Sequence, residues 1–322
     1  MPRAFVFPGQ GSQAVGMGRA LRDSVPAARA VFDEVDDALG EPLSRLIFEG
    51  PAERLTLTEN AQPALLAVSL AAARALEALS GRAVAELCDL VAGHSLGEYS
   101  ALAAVGALAP GDAARLLRRR GLAMQAAVPV GVGAMAAIMG LEPEAVEAVA
   151  AEAAGDEVCA VANDNAPGQL VVSGHAGAVG RAVALAKARG ARRSAMLPVS
   201  APFHCPLMAP AAEAVAEALG RVTLRAPAVP VVANVTAAPV ADAAAFADLL
   251  VRQVTGRVRW RESVLAMGER GVGAVVELGA GRVLAGLARR TLPDALTASL
   301  QTPEDIEAAL GAPDGVLAGA AA

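Results

Sequence analysis

Three short apolar runs in this 322-residue chain end in glycine and pass into helical sequence. Phe5-Val6-Phe7 runs into Pro8-Gly9, Leu87–Ala92 into Gly93, and Ala274–Leu278 into Gly279. A strand that closes on a tight turn and leads into a helix is half of a βαβ unit. Several in series imply a mostly parallel sheet with helices on both faces. Apolar residues recur at helical spacing over about 14–24, 27–39, 61–79, 111–127, 206–219, 242–254 and 260–270, and Val229–Ala233 reads as a further strand.

The alternation breaks once. Val132–Met139, Val158–Ala162, Leu170–Ser173 and Arg192–Leu197 read as strands, and Pro143–Ala153 and Ala176–Ala188 as helices. That order, βαββαβ, is the split motif of ferredoxin-like folds. Asn163–Gly168 is dense in turn formers and is expected to be the loop between the middle strands. The expected fold is therefore α/β. An α/β-hydrolase-like large subdomain with a mostly parallel sheet spans 1–129 and 199–311, and a ferredoxin-like small subdomain is inserted at 130–198. Residues 312–322 show no period and are expected to be a loose tail.

Composition excludes several function classes. Hydrophobic residues at 55% against 19% charged leave no room for wholesale disorder. A net charge of −6 and few aromatics give no basic, stacking-rich surface, so no nucleic-acid partner is expected. Cys88, Cys159 and Cys205 are odd in number and form no CxxC, which suggests neither a disulfide framework nor a metal site. The N-terminal residues lack the pattern of a secretory signal. Gly121–Leu141 is uncharged but holds Gln125, Pro129 and many alanines, so no membrane span is expected. A cytoplasmic protein fits these features. The arginine clusters at 118–120, at 189, 192 and 193, and at 257, 259 and 261 are either solvated surface or contacts for a small acidic partner.

The chemistry centres on Gly93-His94-Ser95-Leu96-Gly97, a GxSxG between strand and helix. The glycines permit a sharp turn that exposes the serine, and the following helix aims its free N–H groups where an oxyanion would form. A nucleophilic serine needs a base, and the chain has three histidines. His94 adjoins Ser95 and should project away from it. His175 lies in a turn of the inserted unit. His204, in the proline-bounded Ser200–Pro206 loop, is the best candidate by elimination. Cys205 is a weaker rival nucleophile. No histidine follows 204, and no acid is obviously placed to orient the base, so a Ser–His dyad held by a carbonyl is expected rather than a hydrolase triad. Gly9-x-Gly11-x-x-Ala14 matches a dinucleotide fingerprint on its letters, but Asp33 and Glu34 lie in helical sequence where that site needs an acid at a strand end. The loop's alternative use is to present the Gln10 backbone N–H toward the elbow.

With these motifs in hand, the sequence resembles the malonyl-CoA:acyl-carrier-protein transacylases of fatty-acid synthesis and the related acyltransferase domains of polyketide synthases. The resemblance runs over about residues 4–300. It is carried, in order, by Phe7-Pro8-Gly9-Gln10-Gly11-Ser12-Gln13, Gly93–Tyr99, Arg120-Gly121 with Met124-Gln125, Gly133–Ala137, Asn163 and Asn165 before Pro167-Gly168-Gln169, Phe203-His204, and Gln253 before Val258-Arg259-Trp260. It departs at Gly279-Ala280-Gly281, where the family often has a central proline.

The resemblance implies Ser95 as the acylated nucleophile, His204 as its base, and the Gln10 and Leu96 backbone N–H groups as the oxyanion hole. It also implies Arg120 as the grip on the malonyl carboxylate, Gln253 as support for His204 through its main chain, and His94 and Asn163 as pocket residues. Phe203 is expected to crowd an α-methyl branch and favour malonyl over methylmalonyl groups. Malonyl-CoA and acyl carrier protein are the implied substrates. No metal or bound cofactor is implied, and a monomer is expected. The alternatives are a serine esterase or thioesterase, a non-catalytic carrier-protein-binding module, or an acyltransferase serving polyketide synthesis.

Overall fold

In the computed structural model, which describes residues 1–199 and 201–319, ten strands form two sheets. The large sheet contains β1 (Arg3–Phe7), β2 (Leu90–Gly93), β7 (Val231–Ala233), β8 (Ala238–Val240), β9 (Ala274–Leu278) and β10 (Leu296–Leu300). Its order is β10-β9-β1-β2-β7-β8, and every pairing is parallel except β7 with β8. The small sheet contains β3 (Gly133–Met139), β4 (Cys159–Ala166), β5 (Gln169–His175) and β6 (Arg193–Met196) in the order β4-β5-β3-β6, all antiparallel. That order is the ferredoxin-like arrangement which the βαββαβ sequence predicts.

The glycine-terminated runs are neighbours. β1 pairs with β2 in the register Phe7 to Gly93, and with β9 on its other side. The loops after β1 and β2 therefore emerge side by side at the carboxyl end of the sheet, where open α/β sheets place their ligands. The strands are buried on both faces, which explains why they read as continuous apolar runs rather than alternating ones.

Alanine does the packing between helices. In the helix Thr58–Ser80, residues Ala61 through Ala73 are all buried. This helix is long and apolar enough to cross a membrane, but 78% of its most apolar window is covered by the fold. Gly121 lets the helix Pro110–Ala126 approach it closely, because a Cβ there would stand 2.5 Å from the Glu59 Cα. The neighbour of that glycine, Arg120, is thereby pressed against Gln62.

Two expectations need correction. Asn163, Asp164 and Asn165 lie within β4, and the turn is confined to Pro167-Gly168. The strand continues because it has partners outside its own sheet. The Asp164 N–H donates to the Val258 carbonyl, the Val258 N–H donates to Ala162, and Arg261 Nε sits 3.0 Å from both oxygens of the buried Asp164 carboxylate. Tertiary pairing overrides local turn preference there, and two register shifts in β4 accommodate it. The segment 312–319 is not loose. Val316 and Leu317 are buried in the main core, and Arg3 Nε donates to the Val316 carbonyl. Residues 320–322 of that expected tail, and Ser200 of the Ser200–Pro206 loop, lie outside the described residues. The arginines at 257, 259 and 261 each pair with a carboxylate of this chain: Glu147, Glu262 and Asp164.

Candidate active site

Ser95 stands in the left-handed backbone region, with φ 53. A non-glycine residue there costs of order 1–3 kcal/mol and persists only where its surroundings hold it. Here the flanking glycines are obligatory. A Cβ on Gly93 would lie 1.8 Å from the Gly97 carbonyl oxygen, and one on Gly97 would lie 2.2 Å from the Phe7 carbonyl oxygen. Asn234, just past β7, fastens the turn from the side: its Oδ1 accepts from the Ser95 N–H (2.7 Å) and its Nδ2 donates to the Gly93 carbonyl (2.7 Å).

His204 faces the serine across 109 residues of sequence. The Ser95 hydroxyl meets His204 Nε2 at 2.8 Å, and His204 Nδ1 lies 2.9 Å from the Gln253 carbonyl oxygen. A carbonyl can only accept, so the ring proton sits on Nδ1 and Nε2 presents its lone pair to the serine. His204 too has a positive φ, 57. Burial, and next the nearby Arg120 charge, push its pKa down to about 3. The imidazole is therefore neutral at physiological pH and free to take a proton.

Arg120 completes the group. It is buried, and its Nη2 donates to the Ser95 hydroxyl (3.0 Å) and to Gln253 Oε1 (2.9 Å), while Nη1 donates to Gln62 Oε1 (2.7 Å). No carboxylate lies among these partners, so the guanidinium keeps its charge for an incoming anion. Gln62 Nε2 in turn donates to the Thr58 hydroxyl, which donates to Gln10 Oε1 at 2.8 Å.

A cavity of about 410 Å³ opens on these side chains between the two sheets. Gln10, His94, Leu96, Asn163, Phe203 and Met135 are among the residues that line it. The backbone N–H groups of Gln10 and Leu96 have no acceptor among the described residues. They belong to the two loops that the β1–β2 pairing sets side by side. His94 points away from the dyad: its Nε2 donates to Asn165 Oδ1 (2.9 Å) and its ring packs at 5.7 Å from Trp260. Burial lowers its pKa. His175 takes no part, since its Nδ1 accepts from the Val158 N–H. The Cys205 thiol is turned to the Pro202 carbonyl, 3.1 Å away, and burial raises its pKa.

Sequence reasoning missed three residues. Asn234 and Gln62 lie in unremarkable strings with no spacing signal. Glu98 was legible only as the acid three residues after the serine. It is buried beneath the elbow, where Oε2 accepts from Gln253 Nε2 (2.7 Å) and from the Asn234 N–H (3.1 Å).

Residues 4–310 match the acyl transferase domain family. The malonyl CoA-acyl carrier protein transacylase of Escherichia coli (strain K12) is 48% identical over 308 residues, 95% of this chain and 98% of that protein. That of Bacillus subtilis (strain 168) is 46% identical over 308 residues, 95% and 96%. Among solved structures, an acyl-carrier-protein-S-malonyltransferase from Bartonella henselae superposes with a TM-score of 0.94 at 55% identity, covering 96% of this chain and 98% of that one. A type II PKS acyl-carrier protein in complex with its malonyl-transacylase superposes at 0.92 and 42%, covering 96% and 99%. With a serine–imidazole–guanidinium group at the end of this sheet, its histidine and arginine buried, and likeness over nearly its whole length, the chain belongs to the acyl transferase family, among the malonyl CoA-acyl carrier protein transacylases.

Proposed function

We propose that this chain moves a malonyl group from malonyl-CoA to the phosphopantetheine thiol of acyl carrier protein in fatty-acid synthesis, through an ester on Ser95. The single observation that carries the reading is the shared hydroxyl. Ser95 Oγ touches both a neutral imidazole that can take its proton and an arginine with no carboxylate hydrogen-bonded to it among the described residues. A nucleophile and an anion receptor at one atom suit an acyl group that bears its own carboxylate.

In the first half-reaction His204 Nε2 takes the Ser95 proton as Oγ attacks the thioester carbonyl. The oxyanion is received by the unclaimed N–H groups of Gln10 and Leu96, worth about 3–4 kcal/mol per donor in comparable sites. Collapse expels the CoA thiolate, which takes the proton from His204. The malonyl carboxylate meets Arg120, whose planar fork suits two parallel hydrogen bonds. In the second half the carrier thiol gives its proton to His204 and attacks the ester, and Ser95 regains the proton as it leaves. CoA thioester is substrate, and the steps call on no metal or bound cofactor. Phe203 at the cavity wall fits a preference for malonyl over methylmalonyl groups. The reading further takes the protein as a cytoplasmic monomer with neither nucleic acid nor membrane as partner; its acidic balance speaks against nucleic acid and its three unpaired cysteines suit a reducing compartment.

Intact-mass measurement after brief exposure to malonyl-CoA tests the reading. A malonyl adduct on the Ser95 peptide, discharged by holo acyl carrier protein, is expected. Rapid release of free malonate without an acceptor would instead identify a thioesterase.

A further inference from the structure

Gln253 serves the site twice, and only one of those uses is fixed by the backbone. Its carbonyl holds His204 whatever its side chain does. Its side-chain amide must be oriented. Oε1 has to face Arg120 Nη2, and Nε2 then faces the Ser95 carbonyl at 2.9 Å and Glu98 Oε2 at 2.7 Å. Reversing the amide would set its oxygen against two oxygens and its NH2 against the guanidinium N–H. The buried Glu98 acceptor thus selects the orientation that serves arginine, while the same oxygen takes the N–H of Asn234, the residue fastening the elbow.

We propose that Glu98 is a positioning residue for recognition of the acyl carboxylate: through Oε2 it fixes the Gln253 amide, which holds the Arg120 guanidinium beside Ser95. The inference rests on the malonyl-transfer reading above. Glu98 itself touches no reacting atom. Its other oxygen, Oε1, is buried without a partner among the described residues, so the carboxyl contributes an acceptor at one oxygen and needs no contact at the other. Burial raises its pKa to about 7, in keeping with an acceptor whose use does not depend on full ionisation. Glutamine at 98 can present its carbonyl oxygen at the Oε2 position and leave its NH2 where Oε1 already lacks a partner. Methionine fills the same space and offers no comparable acceptor.

The test compares wild type, Glu98→Gln, Glu98→Met, Arg120→Ala and the Glu98→Met/Arg120→Ala double variant. Serine acylation by malonyl-CoA and by acetyl-CoA, which lacks the carboxylate, is measured for each, with thermal melting as a check of folding. Glu98→Met should lower the malonyl-to-acetyl ratio of kcat/KM at least tenfold. Glu98→Gln should keep it within about threefold of wild type, and in the Arg120→Ala background Glu98→Met should change the ratio no further. Equal losses for both substrates, an unchanged ratio in Glu98→Met, or a Glu98→Gln that behaves like Glu98→Met would each overturn the proposal. A wild-type protein that forms no malonyl-serine ester would defeat the functional reading itself, and this inference with it.

Discussion

The pKa of His204 leads to a pH profile unlike that of an ordinary histidine base. An exposed imidazole with a pKa near 6.5 is only about one-eleventh neutral at pH 5.5, so a reaction that needs it as a base loses roughly tenfold between pH 8 and 5.5. In this fold burial and the Arg120 charge bring His204 down to about 3. The neutral form then dominates throughout that window, and the substrate carboxylate stays ionised over most of it. The quantity to measure is kcat/KM for Ser95 acylation by malonyl-CoA in rapid-quench mass spectrometry, because it reports the free enzyme rather than the complex in which the malonyl carboxylate offsets Arg120. It should stay flat within about twofold from pH 5.5 to 8. Running the same series in Glu98→Gln removes the one nearby carboxyl that titrates near 7. Arg120→Ala, measured with acetyl-CoA, should move any inflection upward, because one of the two main causes of the depression is gone. A tenfold fall centred near pH 6.5 in the wild type would refute the reasoning, since it would mean that the imidazole is as hydrated as a surface histidine.

Arg120→Ala itself should lower malonyl acylation by about 10²-fold, the effect of losing a two-point charge-assisted contact of roughly 2–4 kcal/mol, while acetyl transfer falls far less; equal malonyl rates in variant and wild type would remove Arg120 from the site. Glu277 gives a stability prediction away from the chemistry. It is buried at the end of β9, with one oxygen unpartnered among the described residues and its pKa raised to about 7 by burial. Its neutral form suits the fold, so its contribution is present below about pH 4.5 and is lost as the pH rises through 7, a swing of about 3 kcal/mol at the limit. Glu277→Gln should therefore raise the melting temperature at pH 8 and leave it nearly unchanged at pH 5. A melting temperature that is equally affected at both values would show that Glu277 is already ionised in the fold.

The parts of this site that could be read in sequence are those in which a local conformation forces a residue type. Gly93 and Gly97 cannot carry a Cβ, and the turn they make between strand and helix announces Ser95. His204 could be found by elimination because the chain holds only three histidines. Turn composition misled at Asn163–Asn165, where pairing with Val258 and Arg261 keeps the strand going. The lack of a period misled at 312–319, where Val316 and Leu317 nonetheless find the core.

By itself, the sequence determined the alternation that builds the parallel sheet, the inserted split motif, and the sharp turn that exposes one serine, because each is written in the spacing of neighbouring residues. Only the tertiary structure decided what surrounds that serine. Gln253 was named through the family resemblance, but Glu98, Asn234 and Gln62 join it from three other segments, and hydrogen bonds between residues some 60 to 160 positions apart leave no periodic trace in the chain. Chain folding at the carboxyl end of the sheet gives them one centre, and burial there sets the charge states that no spacing encodes.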